Sequence, residues 1–249
     1  MKLLKIFLAL WAVVMVSFIL FLLNGCSNGT SPQSGNFSMS MKSGNGLSKV
    51  QSDTLVITSA ELLVEDLKIE GTKTSVANGS DDSIVVFRGD DAEDKEVELK
   101  YGPFVISLNL NGAVNTFAVN NIPPGTYVGA KFQIHRLDKD EVPPDTVFAD
   151  SSFNNGGYSV VVKGFYNNIP FTYKSTVTAN ERVFFSNPIM VNNVNFINVT
   201  LQVDPYSWFY VGGHYLDPNN SNNSEMIDWQ IRYSFKKGFE DDHKDGHED

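Results

Sequence analysis

From Leu55 to Val203 the chain alternates apolar and polar residues with a period of two, and that pattern restricts it to folds built from half-buried strands. Phe104, Ile106, Leu108 and Leu110 alternate with Val105, Ser107 and Asn109. Ala130, Phe132 and Ile134 alternate with Lys131, Gln133 and His135, and Ile197, Val199, Leu201 and Val203 with Asn198, Thr200 and Gln202. Successive strand side chains point to opposite faces, so each apolar set lines one face. The polar sets are then expected in water, with His135 a solvent-facing strand residue. β-branched and aromatic residues dominate the runs, as a pleated surface favours.

Turn residues punctuate these runs. Asn111-Gly112, Asn120-Asn121, Pro123-Pro124-Gly125, Asn155-Gly156-Gly157, Asn167-Asn168 and Asn192-Asn193 all fall between apolar stretches. Asn and Gly accept the positive φ of tight hairpins, and the clearest hairpin pairs Tyr158–Tyr166 with Ile169–Val177 across Asn167-Asn168. The polar stretches Gly71–Gly79 and Arg88–Lys95 read as surface loops beside strands near Ser83–Phe87 and Glu96–Leu99. Short strands at this spacing predict a mostly β chain, an antiparallel β-sandwich or barrel.

After Val203 the pattern changes. Asp204-Pro205 ends the sheet, and Tyr206–Pro218 is an aromatic turn region. A C-terminal α-helix is predicted over about 221–238, with Ile227, Ile231 and Phe235 as its apolar stripe, Asn222 as N-cap and Lys236-Lys237-Gly238 at its end. So short a helix needs docking, and Trp229 or Tyr233 is expected at the seam. Trp208 and Trp229 are both read as core rather than as a carbohydrate platform.

Asn121-Ile122-Pro123-Pro124-Gly125-Thr126-Tyr127 resembles the Pro-Gly-Thr-Tyr corner of transthyretin-like (prealbumin-like) sandwich domains. The resemblance implies that the prolines and glycine turn the chain and that Tyr127 starts a core strand. It covers under a tenth of the chain and carries no activity with it.

The N-terminus has a different character. Met1–Lys5 is short and basic, Ile6–Leu23 is almost unbroken apolar sequence, and Asn24, Gly25 and Cys26 follow. A charged start, an apolar middle and small residues before a cut site make an export signal. The segment Leu23-Asn24-Gly25-Cys26 resembles the bacterial lipobox and uses the chain's one cysteine. That resemblance implies a diacylglycerol on Cys26, cleavage between Gly25 and Cys26, and residence in the bacterial cell envelope on a lipid anchor, at the outer membrane where the cell has one. The competing reading is an uncleaved transmembrane helix. Residues 26–50, rich in Ser, Gly and Asn, are expected to be a tether. The alternation Phe37-Ser38-Met39-Ser40-Met41 is open to two readings, a first strand or a part of that tether. With the second, the body runs from 51 to 239.

Charge excludes some partners. Lys2 and Lys5 are the only charged residues before Cys26, so loss of the signal takes the formal net charge from −10 to −12. Such a surface repels phosphate backbones and offers no polybasic patch to anionic lipid. A membrane partner is therefore expected through the lipid alone, and nucleic acid is not expected.

Catalytic motifs are missing. The chain has no phosphate-binding glycine loop, no His-Glu-x-x-His, no Gly-x-Ser-x-Gly and no Cys-x-x-Cys. The expected function is a non-catalytic binding or structural module with no cofactor, the alternatives being a surface-filament subunit and a carboxylate-dependent hydrolase. His214 reads as a packing or surface residue. The tail 240–249 is the one stretch with metal-like spacing: Asp241, His243, Asp245 and Gly246 match positions one, three, five and six of a calcium loop. The simpler reading of the tail is a solvated, disordered acidic run.

Overall fold

A computed structural model describes residues 35–44, 54–73, 95–150, 156–192, 194–235 and 237–249. The export signal, Gly25 and Cys26, and the strand expected near Ser83–Phe87 lie outside the described residues. The described elements all belong to one compact body within Ser34–Asp249.

The body is mostly β, a curled mixed sheet with one C-terminal helix. Its organising element is β2 (Leu55–Lys73), 19 residues long. Residues Leu55–Leu62 of β2 pair with β7 (Val160–Tyr166), and Val64–Lys73 pair with β6 (Gly125–Ile134). The opposite edge pairs with β3 (Lys95–Lys100) and β4 (Phe104–Ser107). The handover falls at Leu63, whose N–H donates to Ser159 O and whose carbonyl accepts from His135 N.

Beyond β6 the sheet continues through β9 (Ala179–Val191), β13 (Lys237–Glu240), β10 (Ile197–Val203), β1 (Phe37–Ser43) and β5 (Asn115–Asn120). Beyond β7 it ends at β8 (Ile169–Ser175). Asn120 Nδ2 donates to Leu99 O at 2.9 Å, tying β5 back to β3, so the sheet curls. The expected hairpin forms across Asn167 and Asn168, both at positive φ. Tyr127 is buried, and its hydroxyl donates to Pro123 O at 2.8 Å, closing the corner.

Three expectations are corrected by the fold. First, the sheet is mixed, because β1 runs parallel to β10 in register from Phe37↔Ile197 to Ser43↔Val203, and β13 is parallel to β9. Second, Phe37–Ser43 belongs to the body: β1 lies between β10 and β5, with Phe37, Met39 and Met41 at most 1% exposed. The boundary at residue 51 is therefore wrong. A seven-residue run with short flanks reads as linker locally, and only the long-range pairing makes it core.

Third, the helix is shorter than 221–238. Ser221–Asn223 forms a 3-10 turn, α1 spans Ser224–Arg232, and Asn223 rather than Asn222 is the N-cap. Ile227, Ile231 and Phe235 are buried as the stripe requires, and Phe235 meets Phe132 edge-on at 5.3 Å. Asp228 fixes the docking by accepting from Tyr173 Oη at 2.7 Å and Ser175 Oγ at 2.6 Å. Past the helix, Lys237–Glu240 fills the slot between β9 and β10 as β13. That satisfies ladders which would otherwise stay open and buries Phe239. Gly238 suits the crossing, since a Cβ there would stand 3.0 Å from Leu201 Cδ2.

Candidate functional site

The polar face of β10 is not in water. Asn198 and Thr200 are fully buried under the C-terminal tail. Asn198 Oδ1 accepts from Ser38 Oγ at 2.6 Å and Ser40 Oγ at 2.8 Å, and its Nδ2 donates to Thr200 Oγ1 at 3.1 Å and Asp241 O at 2.8 Å. Thr200 in turn donates to Asp241 Oδ2 at 2.8 Å. The amide is satisfied at every position, as a buried polar group must be.

This seam places the calcium candidates. Asp241 is fully buried, and its carboxylate also accepts from the N–H groups of Asp245 and Gly246, both at 3.0 Å. His243 is exposed and pairs with Asp249 at 2.8 Å, which raises the imidazole pKa. Asp245 turns its own Oδ1 to His247 N at 2.9 Å. The tail, expected to be disordered, is folded onto β10 and β1, and Lys42 Nζ donates to Gly246 O.

His135 departs furthest from expectation. It is buried, at 7% exposure, and stands just past the end of β6. Its Nδ1 lies 2.9 Å from Glu65 Oε1 and its Nε2 2.6 Å from Glu141 Oε2. The two acids arrive from different elements. Glu65 sits on β2 where the β2–β6 register slips, beside Asp66 at φ 53°. Glu141 comes from the loop after β6, which turns through an N–H of Glu141 to Asp138 O contact at 3.1 Å. That loop is held down by Leu137 and Phe148, both fully buried against Leu63 and Val161.

The electrostatics of the two acids differ. Burial lifts the Glu65 carboxyl above its ordinary pKa; His135 opposes this, while Asp66, Glu141 and Asp138 add to it. Burial acts on Glu141 too, but hydrogen bonds from His135 and from Asp138 N, the latter at 2.8 Å, bring its pKa down. Both ring nitrogens are thus engaged by carboxylates. Among the described residues, Glu65, His135 and Glu141 are the group of His, Cys, Asp and Glu side chains with three ligand atoms mutually within 4.8 Å. Sequence reading missed all three. Glu141 sits in the run Asp138-Lys139-Asp140-Glu141, which looks like any solvated charge cluster.

Beside this group the same β2–β6 pairing carries a second set of charges. Glu70, with a side chain 3% exposed, takes Arg182 Nε at 2.6 Å and the Lys131 ammonium, which also reaches Glu96 Oε1 at 2.7 Å. Lys131, Glu96 and Arg182 border a cleft of about 250 Å³ that also reaches Asp66 and Glu181. Glu181 stands opposite Phe132, and burial lifts its pKa from 4.5 to about 7 against the pull of Arg232.

A carboxyl with a raised folded pKa holds its proton more tightly in the native state, so stability falls as pH rises from about 4.5 to about 7. After allowance for its partial exposure, ionising Glu181 costs about 1–2 kcal/mol. Glu181→Gln should therefore raise urea stability by that amount at pH 8 and leave it unchanged at pH 4.5. An equal gain at both pH values would locate the effect elsewhere.

Two aromatic expectations resolve differently. Trp208 is fully buried, but Trp229 and Tyr233 are half-exposed on the outer side of α1, their rings 4.7 Å apart. The helix seam is made by Ile227 and Ile231 instead. His214 is exposed.

No protein-family model, curated protein or solved structure matches this chain. Function therefore rests on the residues themselves.

Proposed function

We propose that the chain is an exported lipoprotein, a non-catalytic binding or structural module of the bacterial cell envelope held at the membrane through Cys26. The observation that carries this reading is Leu23-Asn24-Gly25-Cys26, which uses the one cysteine of the chain and follows an apolar signal core. Phe37, where β1 begins, is 11 residues past Cys26. A chain of that length reaches at most about 40 Å, so the module would stand close to the bilayer. Several acyl chains on Cys26, at about 0.8 kcal/mol per buried methylene, give stable anchoring. Among the described residues no helix is long and apolar enough to cross a membrane. A transthyretin-like sandwich is part of the same proposal, and the Tyr127–Pro123 corner supports it.

Cys26→Ser should abolish incorporation of labelled palmitate and leave a precursor that keeps residues 1–25. Undiminished labelling in the variant would refute the anchor.

A second reading, a surface-filament subunit, is favoured by β1. A buried strand this near the N-terminus could be supplied by a second copy, as in strand addition at a sheet edge. Concentration-dependent polymers after proteolysis ahead of Phe37 would support it.

A further inference from the structure

We propose that Glu65, His135 and Glu141 form a binding site for a divalent transition metal, with zinc as the fitting ion. This deepens the binding-module reading by naming a ligand.

Three features of the group carry the inference. The ligand set is mixed, one imidazole and two carboxylates, which suits zinc and its neighbours. Calcium instead asks for six to eight oxygens. The ligands are also convergent: one atom from each residue lies within 4.8 Å of the other two. Ligands around a tetrahedral zinc stand about 3.3 Å apart at bonds of about 2.0 Å. Glu141 now meets the ring nitrogen opposite the one that faces Glu65, so its side chain, 30% exposed on its loop, would leave that nitrogen and swing over to complete the set.

The third feature is charge. Both carboxylates face one ring, each within hydrogen-bond distance of one of its nitrogens. Asp66 and Asp138 add negative charge near Glu65. A divalent ion would offset that concentration of negative charge. It would take one ring nitrogen and both carboxylates, leaving the other nitrogen free to donate outward.

The surroundings match a supported site. Buried Leu137 and Phe148 hold down the loop that carries Glu141, and the His135 N–H to Leu63 O bond at 2.9 Å fixes the histidine backbone. Such outer contacts hold ligands in place before an ion arrives. With Glu65 on the sheet and Glu141 on the loop, the ion would bind one to the other, leaving a fourth position for water or a partner group.

The test is zinc calorimetry on the full chain in detergent, beside His135→Ala and Glu141→Gln. The wild-type chain should show one saturable zinc site that excess calcium does not displace. Glu141→Gln should weaken it at least about tenfold. His135→Ala should weaken it more than about 100-fold, beyond what loss of an outer contact costs. Because Glu141 is on an exposed loop, its variant keeps the test valid if His135→Ala fails to fold. The same titration on His243→Ala/His247→Ala and on Cys26→Ser should leave the site intact. Zinc binding that is absent, that survives both ligand variants, or that disappears with the tail histidines or with Cys26 would overturn the proposal. The Cys26→Ser arm also separates this site from the anchor, since palmitate labelling fails or succeeds independently of zinc.

Discussion

A chain that begins at residue 50 will lose the cooperative unfolding transition that a chain beginning at residue 35 retains. The expectation follows from the place of β1. It is hydrogen-bonded on both edges, to β10 and to β5, and Phe37, Met39 and Met41 are buried against the core. Truncating one such side chain costs about 2–5 kcal/mol, and here three are removed together. Their backbone partners on β10 and β5 would also be opened, and Asn198 would lose Ser38 and Ser40. The summed loss reaches or exceeds the about 5–15 kcal/mol that holds an ordinary domain together. Urea unfolding followed by circular dichroism and by tryptophan fluorescence would check it, Trp208 reporting the core. Coincident transitions with the same midpoint in both chains would show that β1 is dispensable and restore the boundary at 51.

What the sequence could and could not convey divides along physical lines. Local patterns were legible. The alternations through Ile106, Phe132 and Val199 mark strands whose apolar faces are buried, Asn167-Asn168 turns a hairpin, and Ile227, Ile231 and Phe235 dock the helix. These depend on neighbours within a few residues. Pairing between distant segments was not legible. Nothing near Phe37 announces that Ile197 lies beside it, and nothing near Lys237 announces a slot between β9 and β10. The polar half of the alternation misled for the same reason. Asn198 and Thr200 fit water as well as a buried network, and the tail that covers them lies more than forty residues on. Period two puts His135 opposite Ile134 and so predicts a solvated ring. It sits one residue past the strand, where the alternation no longer fixes the direction of a side chain.

The tail's attachment makes the strongest single-residue expectation: Asp241→Ala should destabilise the body by about 3–5 kcal/mol. The Asp241 carboxylate takes three donors, Thr200 Oγ1, Asp245 N and Gly246 N, and is fully buried. Hydrogen bonds to a charged acceptor contribute about 1.5–3 kcal/mol each, though not additively when they share one group. Alanine leaves all three donors without that acceptor. Asp245 is exposed and its N–H can turn to water, but Thr200 and Gly246 are buried and theirs cannot. Asp241→Asn is the informative companion. It keeps the volume but replaces one accepting oxygen with a donor, so it should fall between wild type and alanine. Urea midpoints for the three chains, with and without a calcium chelator, would separate internal hydrogen bonds from any cation. The loss that persists in chelator belongs to Thr200, Asp245 and Gly246. If alanine costs less than about 1 kcal/mol in chelator, the tail is not held by this carboxylate, and its hold on β10 and β1 comes from the β13 ladder, Asn198 and Lys42 instead.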